Sequence, residues 1–368
     1  MADDTTAFVG LDVHKDTIAI GVAECGREAP RFLGTCGPQL RELLRALGTI
    51  GPPQQLHLAY EAGPCGYDLA RALMGRGYHC EVIAVTKTPR RPGDRVKTDR
   101  RDALSLARYL RSAELTAVHI PDVRDEAIRD LSRTREDAVR SRLKARQQLK
   151  ALLLRQGHRY EGKTSWTVAH QRYLGQIAFE HPAQGIAFAE YRNAVTEADE
   201  RVTRLTEALR AQVQSWRGAA WVSALMSLRG LDFIAAATIA AELGDLRRFA
   251  HPKQLMAFLG LVPSEYSSGE SRRQGAITKC GNSHVRRMLI ESAWSYRYPA
   301  RMSRELTVRN EGQPPSVRAI AWQAQLRLCG RYKRLEARGL HKNRICVAIA
   351  RELCGFIWDL GQHTPSPH

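Results

Sequence analysis

Hydrophobic and polar positions follow two different periods along the chain, and the change of period marks three regions. In the first region, short apolar runs rich in β-branched residues alternate with segments of helical period. The runs that predict strands are 8–13, 17–24, 31–35, 56–62 and 80–85, and the helical segments are 39–47 and 67–77. The order βββαβαβ, followed by a helix that starts near Asp99, predicts an α/β domain over residues 1–117, built on a mixed sheet with helices on its faces.

The second region, residues 118–217, is predicted to be almost entirely helical. In its second half, apolar residues recur at alternating intervals of three and four, which is an a/d heptad kept for about four repeats. A similar apolar face runs between 122 and 156. We expect a coiled coil in which two long helices pair with each other or with a second chain, and self-association of the protein as a homodimer or tetramer through it. The heptad positions are Phe188, Tyr191, Val195, Ala198, Val202, Leu205 and Leu209.

The third region, residues 218–368, is predicted to be a mainly helical C-terminal domain. A polar and basic stretch over 262–289 interrupts it, and we expect a loop or hairpin there that enters a helix near Asn282. Two further helices are predicted near 316–335 and 343–359.

The net charge of the chain indicates what kind of partner the protein binds. Among the 368 residues, 56 Lys and Arg outnumber 38 Asp and Glu, so the formal charge is +18 and the isoelectric point about 9.9. Such an excess favours a polyanionic partner, above all nucleic acid. No apolar run approaches the roughly 18 residues of a membrane span, the N-terminus is acidic, and the eight cysteines form no C-x-x-C pair. We therefore expect a soluble, cytoplasmic, nucleoid-associated protein without a membrane partner.

Four acidic residues form the candidate catalytic set. Asp12 and Glu61 end apolar strands, and Asp99 and Asp102 are three residues apart, so on a helix they share one face. Any one of these acids is more often structural. As a set they offer the hard oxygen ligands that Mg²⁺ or Mn²⁺ prefers, and two such ions can clamp the oxygens of a phosphodiester.

The order of the acids also indicates a fold. Asp on the first strand, Glu on a later one and D-x-x-D at the start of a helix is the pattern of a ribonuclease-H-like sheet in its resolvase-like (RuvC-like) form. Sugar-kinase and actin-type ATPases share that fold, but a phosphate loop follows their first Asp, whereas Val13, His14 and Lys15 follow Asp12 here. Asp16 and Asp94 are interpreted as bystanders. His14 is more often a surface residue than a ligand, although His14 and Lys15 could touch nucleic-acid phosphate.

Basic residues surround the acids and recur in the third region. Those near the acids are interpreted as holding a nucleic-acid backbone, with a solvated basic face as the plainer alternative. The predicted nucleic-acid contacts are Lys15, Arg95, Lys97, Arg100, Arg101, Arg272, Arg273, Lys279, Arg286 and Arg287.

Four motifs in this order resemble those of a known family. They are GLDVHKD (10–16), YEAGPCGYDLARAL (60–73), VKTDRRDALSLA (96–107) and GLVPSEYSSG followed by GAITKCGNSHVRRML (260–289). Together they resemble the DEDD transposases of the insertion-sequence "one-ten" family and the related Piv-type DNA invertases. The resemblance covers about the first 112 residues and then about 225–300, and the helical middle is similar in character only.

The resemblance implies roles for particular residues. Asp12, Glu61, Asp99 and Asp102 match the metal-binding set of the resolvase-like domain. A nucleophilic serine is expected in the Y-x-S-G context, where Ser268 is the match, although spacing alone leaves Ser267 open. The family's members are recombinases guided by a bridge RNA that pairs with donor and target DNA. They act as multimers in which the resolvase-like domain of one subunit meets the serine of another.

Three functions therefore stand as expectations. The first is a DNA transposase or site-specific recombinase with a covalent serine intermediate. The second is a metal-dependent, structure-specific nuclease of the junction-resolvase kind, which needs the four acids but not the serine. The third is a nucleic-acid-binding protein without catalytic activity.

Overall fold

The computed structural model describes residues 5–89, 98–268 and 271–364. The chain divides into two compact units, Met1–Pro121 and Asp122–His368. Each unit has its own hydrophobic core. The predictions for Arg95 and Lys97 lie outside the described residues.

The first unit is built on a five-stranded mixed sheet. Its strands are β1 (Ala7–Val13), β2 (Ile18–Glu24), β3 (Arg31–Cys36), β4 (Leu56–Glu61) and β5 (His79–Ile83), in the order β3-β2-β1-β4-β5. The first three strands are antiparallel, and β1, β4 and β5 run parallel. The five strands expected from the apolar runs are thus confirmed, as is the mixed α/β character of this region.

Helices cover both faces of this sheet. On one face, Val9, Leu11 and Leu58 pack against α1 (Leu40–Gly48) and α2 (Asp68–Met74). On the other face, residues of β1 and β4 pack against α3 (Asp99–Arg111), in a cluster that includes Phe8, Ala59, Ala107 and Leu110. Because side chains alternate along a strand, Asp12 belongs to the face that α3 covers.

The second unit is mostly helical, as the sequence predicts. Its helices are α4 (Val123–Arg155), α5 (Val168–Gln176), α6 (Pro182–Ser215), α7 (Ala219–Met226), α8 (Phe233–Leu243), α9 (Pro252–Phe258), α10 (Ser283–Ala293), α11 (Arg304–Asn310), α12 (Pro315–Ala337) and α13 (Lys342–His363). An antiparallel hairpin of β6 (Pro263–Ser268) and β7 (Ser271–Ile277) lies between α9 and α10. The main core of the unit joins residues of α7, α8, α10, α12 and α13.

The two longest helices, α4 and α6, pack against each other in antiparallel orientation. Arg146 near the end of α4 donates to Asp199 at 2.7 Å, and Arg135, earlier in α4, donates to Thr206 at 2.7 Å. The most buried positions of α6 are seven residues apart along most of its length. The predicted apolar stripe is therefore covered by a helix of the same chain. These buried positions are Phe188, Val195, Val202 and Leu209.

Two expectations about surface and redox state can be compared with the structure. Within the part of the chain that is described, no helix combines the length and the apolar character that crossing a membrane would require. All eight cysteines are free thiols, four of them buried: Cys80, Cys329, Cys346 and Cys354.

Candidate active site

Two of the predicted acids lie side by side at one edge of the sheet. Strands β1 and β4 are parallel, with Gly10 opposite Ala59 and Leu11 opposite Tyr60. The next positions along the two strands are Asp12 and Glu61, and neighbouring strands are about 4.8 Å apart. Both acids alternate onto the face that α3 covers. The register therefore places the two acids at neighbouring strand ends on the same face of the sheet.

The other two acids come from the first turn of α3. Thr98 precedes the helix, and its hydroxyl accepts a hydrogen bond from the backbone N–H of Arg101 at 3.3 Å, which is the usual N-cap arrangement. Asp99 and Asp102 both lie in this turn. The helix packs directly on β1 and β2, so its first turn lies at the carboxyl end of β1.

Two glycines allow α3 to come this close. Gly10 and Gly21 are register partners on β1 and β2. A Cβ atom at Gly10 would lie 2.3 Å from the carbonyl oxygen of Ala103, and one at Gly21 would lie 2.5 Å from the same atom. Only glycine fits where backbone meets backbone at this distance. This contact sets the depth at which α3, and with it Asp102, lies over the sheet.

The imidazole of His14 lies between two of these carboxylates. Its Nε2 is 3.2 Å from Asp12 Oδ2 and 3.6 Å from Asp99 Oδ1. The sequence interpretation treated His14 as a surface residue, and its ring is indeed half exposed, yet it contacts two predicted ligands. The alternation that places Asp12 on the α3 face also places His14 there two residues later, and this spacing is the signal that could have identified it.

The carboxylate of Asp12 is partly buried and lies close to other charged groups. Partial burial raises the pKa of Asp12; the proximity of His14 lowers it, the charges of Asp102 and Asp99 raise it, and the net shift is upward. Repulsion among acids that converge at one edge is relieved by a bound cation. Ligand atoms of Asp12, His14 and Asp99 lie within 4.8 Å of one another, and the carboxylate oxygens among them suit a hard divalent ion such as Mg²⁺ or Mn²⁺. The residues present therefore fit the predicted metal.

The predicted nucleophile lies at the end of the β6–β7 hairpin in the second unit. Ser268 is the last residue of β6 and pairs in register with Ser271, and Ser267 pairs with Arg272. The side chains of Ser267, Ser268 and Arg272 lie outside what the structure describes. Tyr266, which opens the Y-x-S-G motif, is 76% exposed.

The Gly-Asn pair that follows the hairpin has a structural role. Gly281 has a φ of 74°, and a Cβ there would lie 1.9 Å from the carbonyl oxygen of Phe258. Asn282 caps α10 by accepting from the N–H of Val285 at 3.0 Å and donates to Glu242 Oε2 at 2.7 Å. The Gly-Asn pair therefore joins the start of α10 to the ends of α8 and α9, close to the hairpin.

Five of the predicted nucleic-acid contacts are exposed side chains. Lys15, Arg101, Arg273 and Lys279 are exposed. Arg100 is also exposed, and its guanidinium lies over the ring of Phe32 at 5.4 Å.

Two arginines of α10 are held by the protein itself. Arg286 donates to the carbonyl oxygens of Leu259 at 2.9 Å and Cys280 at 3.0 Å. Arg287 forms ion pairs with Glu136 at 3.1 Å and Glu291 at 3.5 Å. These contacts give Arg286 a structural role that the sequence did not reveal, since a basic pair at the start of a helix looks the same in either case.

Comparisons with known proteins identify the kind of protein. A DEDD family model described as "Transposase" matches residues 9–157, and the model of the "Transposase IS116/IS110/IS902 family" matches residues 222–305. The first match contains the four acids and the second contains the hairpin. Both models describe transposases.

Whole-chain relatives agree with the family models. The chain is 47% identical over 365 residues to the "Putative transposase y4qE" of Sinorhizobium fredii, covering 98% of this chain and 90% of that protein. It is 29% identical over 335 residues to the transposase for insertion sequence element IS1533 of Leptospira borgpetersenii, which covers 89% of this chain and 96% of that protein. It is 25% identical over 367 residues to the transposase for insertion sequence element IS1111A of Coxiella burnetii, which covers 96% of this chain and 89% of that protein.

The chain therefore belongs to the IS110 family of insertion-sequence transposases. The resemblance stated from the motifs is confirmed. Membership implies that the protein binds DNA, and DEDD transposases are typically metal-dependent.

Proposed function

We propose that this transposase is a site-specific DNA recombinase that cuts and rejoins phosphodiesters through a covalent bond to Ser268. Asp12, Glu61, Asp99 and Asp102 would hold Mg²⁺ or Mn²⁺. The observation that supports this proposal is the placement of the acids: Asp12 and Glu61 end neighbouring strands, and His14 joins Asp12 to Asp99 in the first turn of α3.

We propose that the first unit is a ribonuclease-H-like domain of the RuvC-like form. The strand order β3-β2-β1-β4-β5, with three antiparallel strands followed by two parallel ones, supports this assignment. The domains proposed for the rest of the chain are the helical coiled-coil region 118–217 and the C-terminal transposase domain 218–368.

The chain's own residues would perform the following steps. The Ser268 hydroxyl attacks the phosphorus, its oxygen forms the new P–O bond, and its proton passes to a base at the site. The bond from phosphorus to the departing sugar oxygen breaks, and that oxygen takes up a proton. The phosphoserine keeps the energy of the diester, so a sugar hydroxyl of the other DNA can reverse the step and release Ser268. Asp12, Glu61, Asp99 and Asp102 would hold a divalent ion, which would supply Lewis acidity and charge neutralisation.

We further propose that a bridge RNA supplies sequence specificity, with base pairing to donor and target DNA. The exposed cations Lys15, Arg101, Arg273 and Lys279 are suited to sequence-independent contact with phosphates. The family resemblance adds an assembly in which the acids of one subunit act with the serine of another, as a homodimer or tetramer held through the coiled coil.

Covalent trapping tests the nucleophile directly. The protein, expressed with the flanking non-coding DNA of its element, would be incubated with labelled donor DNA and Mg²⁺ and separated under denaturing conditions. We expect a protein–DNA adduct in the wild type and in Ser267→Ala, and none in Ser268→Ala. An adduct lost only in Ser267→Ala would move the nucleophile by one residue.

The same assay separates the alternative functions. A junction-resolvase-like nuclease would cut DNA in both serine variants and lose cutting only in Asp12→Asn. A binding protein without catalytic activity would bind DNA in all variants and cut in none.

Sequencing of co-purified nucleic acid tests the guide. A discrete structured RNA from the flanking DNA is the expected result. Random fragments alone would contradict guidance by RNA while leaving the serine chemistry to the adduct assay.

A further inference from the structure

A second group of metal-ligating side chains lies at the opposite end of the same sheet from the four acids. His57 is the second residue of β4, and His79 and Glu81 are on β5. Along β4, His57 precedes Glu61 by four residues, which is about 13 Å of strand. This group therefore belongs neither to the acid cluster nor to the proposed reaction.

The register of the parallel strands assembles this group. His57 pairs with His79, and Ala59 pairs with Glu81. Lateral partners in a sheet point to the same face, and so do residues two apart on one strand, so all three side chains project from one face. The rings of His57 and His79 are stacked, with centroids 3.9 Å apart and planes within 13°.

Three ligand atoms converge in this arrangement. Glu81 Oε1 lies 3.4 Å from His57 Nε2 and 3.7 Å from His79 Nε2, and all three atoms are within 4.8 Å of one another. Ligands about 2.0–2.1 Å from a tetrahedral zinc ion are about 3.3 Å apart. An imidazole nitrogen binds a metal in its own ring plane, so binding also requires the stacked rings to rotate until both Nε2 atoms point to one ion.

The buried imidazole of His57 is the second observation that points to a ligand. His57 is only 7% exposed, and its ring packs against Phe8 with centroids 5.8 Å apart. Among the described residues its Nε2 makes no hydrogen bond of good geometry, and its polar contact is the 3.4 Å ion pair with Glu81. A buried polar atom with only one long contact is incompletely satisfied, and this atom faces Glu81 and His79.

We propose that His57, His79 and Glu81 bind a divalent transition-metal ion of the zinc class, with the fourth position open to water. Two imidazoles and one carboxylate suit Zn²⁺ or Co²⁺, whereas the carboxylate cluster suits Mg²⁺. The half-exposed ring of His79 leaves the ion a route from solvent. The ion would tie β4 to β5, which is the edge strand of the sheet.

Cobalt titration of the full-length, chelator-treated protein tests the proposal. We expect one equivalent of Co²⁺ to produce visible d–d bands with the intensity of a tetrahedral site. The near-ultraviolet charge-transfer band of a thiolate ligand should be absent, which would show that the free cysteines do not bind the ion. His79→Ala and Glu81→Gln should each weaken binding more than about 100-fold, since even an outer partner of a metal ligand is worth 10–100-fold.

Two variants serve as controls. Asp12→Asn removes a ligand of the carboxylate cluster, and His363→Ala removes an exposed histidine paired with Asp359 at 3.5 Å; both should bind Co²⁺ as the wild type does. Zn²⁺ should raise the unfolding temperature of the wild type and not of His79→Ala, because an ion that binds only the folded state stabilises it.

The opposite results would overturn the site. Unchanged Co²⁺ affinity in His79→Ala, or loss of the bound equivalent in Asp12→Asn, would place the ion elsewhere. His79→Ala should have the unfolding temperature of the metal-free wild type, which shows that its loss of binding is not a loss of fold.

Discussion

The carbonyl oxygen of Ala103 on α3 lies 2.3 Å from the point where a Cβ of Gly10 on β1 would stand. This contact brings the first turn of α3 to the end of β1, where Asp12 is. The geometry of the candidate active site therefore depends on Gly10, which has no side chain and takes no part in the proposed reaction.

Substitution of Gly10 by alanine should destabilise the first unit. The added methyl group meets backbone, which cannot rotate away, so α3 must shift; we expect a loss of about 1–3 kcal/mol in the free energy of unfolding. Urea unfolding followed by circular dichroism measures this loss. Gly48→Ala is the matched control, because Gly48 lies in α1 with open space around it, and it should be neutral or stabilising. Equal effects of the two changes would contradict the close packing of α3.

His14 should act by positioning the carboxylates. Its Nε2 contacts both Asp12 and Asp99, so His14→Asn should weaken Mg²⁺ binding and recombination about 10–100-fold, as changes of outer partners do. Calorimetric titration with Mg²⁺ and a plasmid recombination assay measure the two effects. Asp16→Asn, on the same exposed turn, should leave both unchanged. A wild-type Mg²⁺ affinity in His14→Asn would remove His14 from the site.

The buried carboxylate of Glu242 should make the stability of the second unit depend on pH. Burial raises its pKa, but hydrogen bonds from Arg133 at 2.7 and 2.9 Å and from Asn282 at 2.7 Å outweigh burial and hold the pKa below the usual 4.5. A depressed pKa means that the stabilisation is complete above pH 4.5 and is lost as the pH falls through the lower, folded value.

Glu242→Gln should therefore cost about 3 kcal/mol at pH 7, because it leaves buried cationic partners unpaired. The difference from wild type should shrink as the pH falls below 4.5. Thermal unfolding between pH 3 and pH 7 measures it, with Glu291→Gln, an exposed partner of Arg287, as the control. A pH-independent difference would show that the charge of Glu242 is not the cause.

Arg273 and Arg286 should respond differently to replacement by alanine. Arg273 is exposed on β7, so Arg273→Ala should weaken DNA binding and lower the slope of log affinity against log salt by about 0.7–0.9. Arg286 holds two backbone carbonyls, so Arg286→Ala should lower the unfolding free energy by about 1–3 kcal/mol. Fluorescence anisotropy over a salt series and urea unfolding measure the two effects. An altered salt slope without loss of stability in Arg286→Ala would assign that residue to the phosphate surface instead.

The sequence by itself determined most of the helices and strands of this protein and the positions of the four acids within them. Strand alternation placed Asp12 and Glu61 at strand ends, the i, i+3 spacing placed Asp99 and Asp102 on one turn, and the heptads of α6 marked its buried stripe. These properties depend on neighbours within a few residues along the chain. The four motifs were enough to identify the family.

The tertiary structure decided which of these parts meet. It showed that α4 of the same chain covers the stripe of α6, that His14 lies between Asp12 and Asp99, and that Arg286 is committed to carbonyl oxygens. It also brought His57 beside His79 and Glu81. Each of these contacts depends on strand register or on how closely a helix packs. Register and packing are settled by the whole core at once, so local patterns in the chain do not reveal them.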